Sequence, residues 1–383
     1  MKTFTRLTAL SFAVGFYVGC SPAKFDVSAA NCNSDTSCIV QDGMYSYSYS
    51  ITAGAGKVDI LIVDDNSASM SFEQKRLAPR FANFIQNLDA KKIDYRIAIT
   101  TTDVSGGSFP QGGKLITMGD GSSFITPTQP NRVDLFNNAI QRPETRSCEN
   151  WIANYLRDHG ASSINTSAYS AGYSQNCPSG DERGIYAANL VVQNNPNSFI
   201  RSDAHLSIIF LSDEDERSGL YLSTAAYNLA SMDQPGVLTS NVRSYLGQSK
   251  YNSLSVHSIV VKDNSCLSIQ NNQVLGDTPN EATRGLLSGS IGAAYLTFSQ
   301  TNPAWGVAAD ICSSDYTTQL GQIQTNIESR IKDIMLKCSN PTDLEVNVSG
   351  STVAHSVNGN VLSFNQYLAA GTSVSLSYKC SAM

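Results

Sequence analysis

The chain is poor in the residues on which most enzymatic chemistry rests. It has four His among 383 residues, and His159, His205, His257 and His355 show no spacing that would build a relay or a metal site. No C-x-x-C, H-E-x-x-H, G-x-S-x-G or G-x-x-x-x-G-K-[ST] pattern occurs. Zinc ribbons, zincin-type proteolysis, a nucleophile elbow and P-loop nucleotide binding are therefore not indicated. Charge is also scarce: 15% of residues are charged and the formal net charge is -6. Phosphate backbones require clustered Lys and Arg, which are absent, so no nucleic-acid partner is expected. After residue 20 no apolar stretch approaches the roughly 20 residues that a membrane-spanning helix requires.

What is present begins at the amino terminus. Met1–Arg6 is short and basic, Leu7–Val18 is apolar, and Gly19-Cys20 follows at once, which reads as a secretory signal over residues 1–19. Tyr17-Val-Gly-Cys20 resembles the bacterial lipobox. That resemblance implies that Cys20 is lipidated and becomes the first mature residue. Ser21 after it implies sorting to the outer membrane, facing periplasm or cell surface, with attachment by lipid alone. Nine Cys are present, and setting Cys20 aside leaves eight, which suits an oxidising compartment. Proximity along the chain suggests Cys32 with Cys38, Cys148 with Cys177, Cys266 with Cys312 and Cys338 with Cys380. Residues 20–56 read as a lipidated tether ending in a strand in which Tyr45, Tyr47 and Tyr49 alternate with Ser.

From Lys57 to Lys337 strand and helix patterns alternate. Strands are expected at 58–63, 95–101, 115–118, 206–211 and 254–261, with helices near 72–88, 132–140, 149–157, 183–192, 242–246 and 316–336. Such alternation predicts an α/β fold: a doubly wound, mostly parallel, Rossmann-like sheet with helices on both faces and ligands at the carboxyl ends of its strands. Residues 338–383 carry short alternating runs separated by Gly and Asn-Gly, which predicts a small β unit tied by a disulfide and docked on the Tyr strand.

The chemistry concentrates where the first strand ends, in Val58-Asp-Ile-Leu-Ile-Val-Asp-Asp-Asn-Ser-Ala-Ser69. Asp65, Ser67 and Ser69 offer one carboxylate and two hydroxyls from a short loop, a hard-oxygen set suited to Mg2+, or to Mn2+ or Ca2+. A buried strand followed by D-x-S-x-S resembles the metal-ion-dependent adhesion site (MIDAS) of the von Willebrand factor type A (vWA) family. The resemblance implies a second acidic ligand after a later strand, and Leu206-Ser-Ile-Ile-Phe-Leu-Ser-Asp213 supplies Asp213. The family's remaining ligand is usually a Thr before a helix that opens with small residues. Here Ser179-Gly-Asp-Glu-Arg-Gly184 takes that place without a Thr, leaving Asp181 first and Ser179 second as candidates.

By that resemblance the protein is expected to be a non-enzymatic, lipid-anchored adhesion protein that binds a protein partner. An Asp or Glu of the partner would complete the shell of the ion held by Asp65, Ser67, Ser69, Asp213 and Asp181. Two other classes fit the residues less fully: an envelope scaffold in which the ion only stiffens loops, and a metal-assisted hydrolase, which would need a general base near the ion. The long loops at about 103–180 and 262–310 exceed what the family core needs, and the first of them leads into the third ligand loop.

Overall fold

The computed structural model describes residues 32 and 37–381, apart from 42, 53–55, 106–108, 110–111, 203, 218–228, 248–250, 252–253, 273–288, 302–305, 315, 350–352, 366–367 and 369–371. The signal segment and Cys20 lie outside the described residues. Among the described residues no helix is long and apolar enough to cross a membrane.

The first elements among the described residues form a hairpin, β1 (Cys38–Gln41) and β2 (Met44–Thr52). It then enters β3 (Lys57–Asp64), a run of apolar residues that is buried along nearly its whole length. Only a strand covered on both faces can use such a run without alternation. There follow α1 (Ser71–Ala90), β4 (Asp94–Thr101), α2 (Arg132–Ile140), α3 (Pro143–His159), α4 (Ser167–Asn176), α5 (Gly184–Asn194) and β5 (His205–Ser212). After these come α6 (Pro235–Leu246), β6 (Leu254–Val260), α7 (Asn264–Gln270), α8 (Ala293–Gln300), β7 (Ala308–Asp310) and α9 (Tyr316–Lys332).

Five strands form one sheet in the order β4-β3-β5-β6-β7, with parallel pairing throughout. Alternate residues of each strand feed two apolar layers. Ile60, Ile62, Ile97, Ile99 and Ile209 pack under Phe81, Ile85, Phe136 and Ile323 of α1, α2 and α9. Leu61, Val63, Ile208, Phe210 and Val256 pack under Ile185, Val191, Val242 and Phe298 of α5, α6 and α8. The molecule is thus α/β, a parallel sheet between two helical layers.

A second unit draws on both ends of the chain. β8 (Asp333–Met335), β9 (Thr342–Val348), β10 (His355–Asn358), β11 (Val361–Phe364) and β12 (Ser373–Ser381) complete the chain's strands among the described residues. They form two antiparallel sheets, β1-β2-β12-β9 and β10-β11-β8. β12 runs beside β2 from Ser373–Thr52 to Ser381–Met44, so the Tyr strand is an interior strand of this unit. Tyr47 stacks on Tyr378 at 5.3 Å between centroids, and the hydroxyls of Tyr49 and Tyr378 lie 3.1 Å apart. Both features give the Tyr stripe a packing role. All four suggested disulfides are formed: Cys32–Cys38, Cys148–Cys177, Cys266–Cys312 and Cys338–Cys380.

Three expectations need correction. Segment 115–118 is not a strand: Ile116 N–H donates to Ile99 O at 2.7 Å, but a turn bonding Met118 N–H to Ser122 O, with Gly121 at φ 87, ends the segment before a ladder can form. The last helix stops at Lys332, because Ile334, in β8, and Leu336, just after it, belong to the core of the β unit. The helix expected at 149–157 begins at Pro143, a residue whose fixed φ and missing N–H suit a first helical position.

Candidate metal centre

Strand order reverses at β3, which is followed in sequence by β4 on one side and is paired with β5 on the other. The crevice at the carboxyl ends of β3 and β5 is therefore a switch point of the kind where α/β sheets bind ligands. Asp65 follows the last residue of β3, and Asp213 the last residue of β5. The Asp65 N–H donates to Leu211 O at 2.9 Å, which ties the two strand ends together.

The loop 65–70 curls over this crevice. Ser67 N–H donates to Asp65 Oδ1 at 2.8 Å, the Ser67 and Ser69 hydroxyl oxygens lie 3.1 Å apart, and the Ser69 hydroxyl donates to Asp213 Oδ1 at 3.1 Å. Asp65 Oδ2 accepts from the Ser212 hydroxyl at 2.6 Å, and Oδ1 from the Thr102 hydroxyl at 3.5 Å. Asp65, Ser67, Ser69 and Asp213 are all buried. Four residues expected from two separate parts of the sequence thus share one buried site.

Burial and like charge dominate the electrostatics of the site. Burial raises the Asp65 carboxyl, against hydrogen bonds from Ser212, Ser67 and Thr102 that favour its charge. Burial pushes Asp213 well above the usual carboxylate range, and Asp65 and Glu214 push it further. Glu182 is raised well above its range in the same way, by burial first and then by Glu214 and Asp65. The leading charged neighbours of Asp213 and Glu182 are thus other carboxylates, an arrangement that a divalent cation relieves.

The loop is braced from behind. Gln74 of α1, which is buried, donates to Asp65 O at 2.9 Å and Asp64 Oδ2 at 3.1 Å, and accepts from Arg142 N–H at 3.1 Å. The Thr145 hydroxyl of α3 donates to Asn66 O at 2.9 Å. Ala68 packs with Cys148, Ile152, Leu156 and Cys177, so the α3–α4 hairpin closed by Cys148–Cys177 sits directly on the loop. On that hairpin Trp151, Tyr155, Tyr169 and Tyr173 form one aromatic cluster. Part of the long loop preceding the third ligand segment therefore forms a wall of the site.

The third ligand segment departs from expectation. Asp181 is held by Arg217 through a two-pronged contact at 3.0 and 3.1 Å, and Ser179 Oγ accepts from Asp181 N–H at 3.1 Å. The next residue, Glu182, is buried. Thr102 and Ser212 also escaped the sequence reading. Their one signal was hydroxyl residues at the ends of buried strands, in Thr100-Thr-Thr-Asp103 and Leu211-Ser-Asp213.

A second group, Cys266, Asp310 and Cys312, brings its ligand atoms within 4.8 Å of one another. The two sulfurs are bonded to each other, so neither is a free thiolate, and Asp310 Oδ1 accepts from Cys312 N–H at 2.9 Å.

No protein-family profile matches the chain, and no curated protein matches it in sequence. Among solved structures it is similar to the pilus adhesin SpaC from Lactobacillus rhamnosus GG in its open conformation, with 12% identity and a TM-score of 0.34 over 89% of this chain and 41% of the adhesin. A further structure of that adhesin gives a TM-score of 0.36 over 42% of its length. Proximal thread matrix protein 1 of the mussel byssus gives 8% identity and a TM-score of 0.35 over 73% of this chain and 49% of that one. The chain thus spans less than half the length of these structures, and likenesses of this size carry no functional argument.

Proposed function

We propose that the chain is a vWA-like binding protein of the bacterial envelope that engages a protein partner through a divalent cation, Mg2+ or a similar hard ion. The observation that supports this is the meeting of Asp65, Ser67 and Ser69 with Asp213 at the carboxyl ends of two adjacent parallel strands. Bound there, a dication would supply an electrophilic centre for an oxygen of the partner, an Asp or Glu carboxylate on this reading. Ser67 and Ser69 would present hydroxyl oxygens to it, and Asp65 and Asp213 would balance its charge. Gln74 and Thr145 hold the loop that carries the hydroxyls, while the aromatic wall of the α3–α4 hairpin offers the partner an apolar flank.

Binding is favoured over a histidine-based hydrolase because the buried histidines are engaged elsewhere: His205 and His257 both bond Ser255 on β6, at 2.8 and 3.2 Å. Attachment through a lipidated Cys20 belongs to the same proposal. The test is capture of envelope proteins by the immobilised chain with and without chelator, in parent and Asp65→Ala. A partner lost with chelator, regained with Mg2+ and absent from the variant is the expected result. Capture indifferent to both changes would favour the scaffold reading.

A further inference from the structure

Two buried histidines lie outside the metal centre, and the bonds of one of them fix where its proton sits. His257 is fully buried on β6, and the Val307 N–H donates to its Nδ1 at 3.0 Å. A backbone N–H can only donate, so Nδ1 holds a lone pair and the ring proton is on Nε2, which donates to Ser255 Oγ at 3.2 Å. The Ser255 hydroxyl then has its own hydrogen for His205 Nε2 at 2.8 Å. The bond to Val307 also stands in for a rung of the sheet. Ser258 N–H donates to Val307 O at 3.0 Å, and continuing that parallel ladder would hand the Val307 N–H to the Val256 carbonyl. The ring takes it instead. Gly306 makes the fit possible, because a Cβ there would lie 1.7 Å from Val256 O and 2.9 Å from His257 Nδ1.

We propose that His257 is an acid-sensitive latch for the edge strand β7. A proton on Nδ1 and the Val307 bond exclude each other, so acid favours the state in which 306–308 has left the ring. β7 lies at the sheet edge and pairs with β6 at three positions, so the bond is a large part of its hold. Just beyond β7 the chain grips α1: the Arg76 guanidinium donates to Ser313 O at 2.8 Å, and the Tyr316 hydroxyl donates to Glu73 Oε2 at 2.8 Å. Opening of β7 therefore loosens the first turns of α1. Among the described residues, the titratable groups on the elements around the ring are bonded to other partners. His205 of β5 meets Ser255, and Asp310 of β7 accepts from Cys312 N–H. On α9, which covers the β6 face that His257 shares with Ile259, Tyr316 bonds Glu73 and Glu328 pairs with Lys91. The closed state binds fewer protons at this ring than the opened one, so the latch holds at neutral pH and weakens as pH falls through the ordinary histidine range of about 6.5. A released ring of ordinary proton affinity raises the opening constant about thirtyfold between pH 7.5 and pH 5.0.

The test is amide hydrogen exchange of the purified protein at pH 7.5 and pH 5.0, compared as protection factors. In the parent, protection across 307–310 falls about thirtyfold at the lower pH, with a smaller fall across 71–77, while β3 changes less than threefold. His257→Asn places Oδ1 where Nδ1 stands, so it accepts the Val307 N–H and takes up no proton. Its protection across 307–310 changes less than threefold. A fall of less than threefold in the parent, or an equal fall in His257→Asn, overturns the latch. Should the variant fail to fold, the ring 15N shifts of the parent decide the point: a bare, hydrogen-bonded Nδ1 at pH 7.5 upholds it, and a proton on Nδ1 overturns it. The latch does not depend on the ion, so its failure leaves the metal reading standing.

Discussion

Breaking Cys148–Cys177 should loosen the metal loop without unfolding the protein. The bridge closes a segment of sequence separation 29. In the chain-entropy account a loop of that length is worth about 3.6 kcal/mol. The hairpin it closes is otherwise held by modest means. α4 buries none of its own residues, and the contact with the loop runs through Ala68 and the Thr145 hydroxyl. The lost stabilisation should therefore appear locally. For Cys148→Ala/Cys177→Ala, amide hydrogen exchange across 143–177 is expected to accelerate by about a hundredfold or more, since each 1.4 kcal/mol is a factor of ten. Exchange in β3 and β5 should stay near that of the parent, because their ladders lie in the sheet interior. Mn2+ affinity should fall, because Ala68 loses its support. Exchange across 143–177 within threefold of the parent, together with unchanged Mn2+ affinity, would refute the claim that this hairpin braces the site.

Gln74→Leu leaves Asp65 O, Asp64 Oδ2 and Arg142 N–H without their present partner; at about 1–3 kcal/mol for each buried group, a loss of about 3 kcal/mol or more is expected in denaturant unfolding, with weaker metal binding. Chelation at neutral pH should lower the melting temperature of the parent, because it leaves the buried Asp65 and Asp213 carboxylates without a counter-charge, and should leave Asp65→Ala nearly unmoved in differential scanning calorimetry. Cys20→Ala is expected to release the protein from the membrane fraction on centrifugation, and retention there would refute lipid attachment.

The sheet was legible because buried parallel strands write themselves as unbroken apolar runs, as in Val58–Val63 and Leu206–Leu211. Helices with an apolar stripe, such as Arg132–Ile140, were equally plain. α4 was not, since Ser167–Asn176 is rich in Ser, Tyr and Asn and is held by the disulfide and by aromatic packing on Trp151. The Tyr strand was legible from its alternation, and β12 pairs with its residues 44–52 across nine positions as the docked β unit should; β1 (Cys38–Gln41), which pairs with β2, was not, because it lies in what reads as tether. At the site, Asp65, Ser67 and Ser69 were legible because their spacing lies within one short loop. Asp213 followed from a strand end. The Arg217 contact that holds Asp181 was not legible, because it joins loops 36 residues apart.

The central claim is that one hard divalent ion sits between Asp65, Ser67, Ser69 and Asp213. Anomalous diffraction from crystals of the protein grown with Mn2+ tests it most directly. The account predicts a single strong peak at the carboxyl ends of β3 and β5, within coordination distance of both the Ser67 and Ser69 hydroxyls and lost in Asp65→Ala. A site without a peak, or a peak only beside Cys266, Asp310 and Cys312, would contradict it.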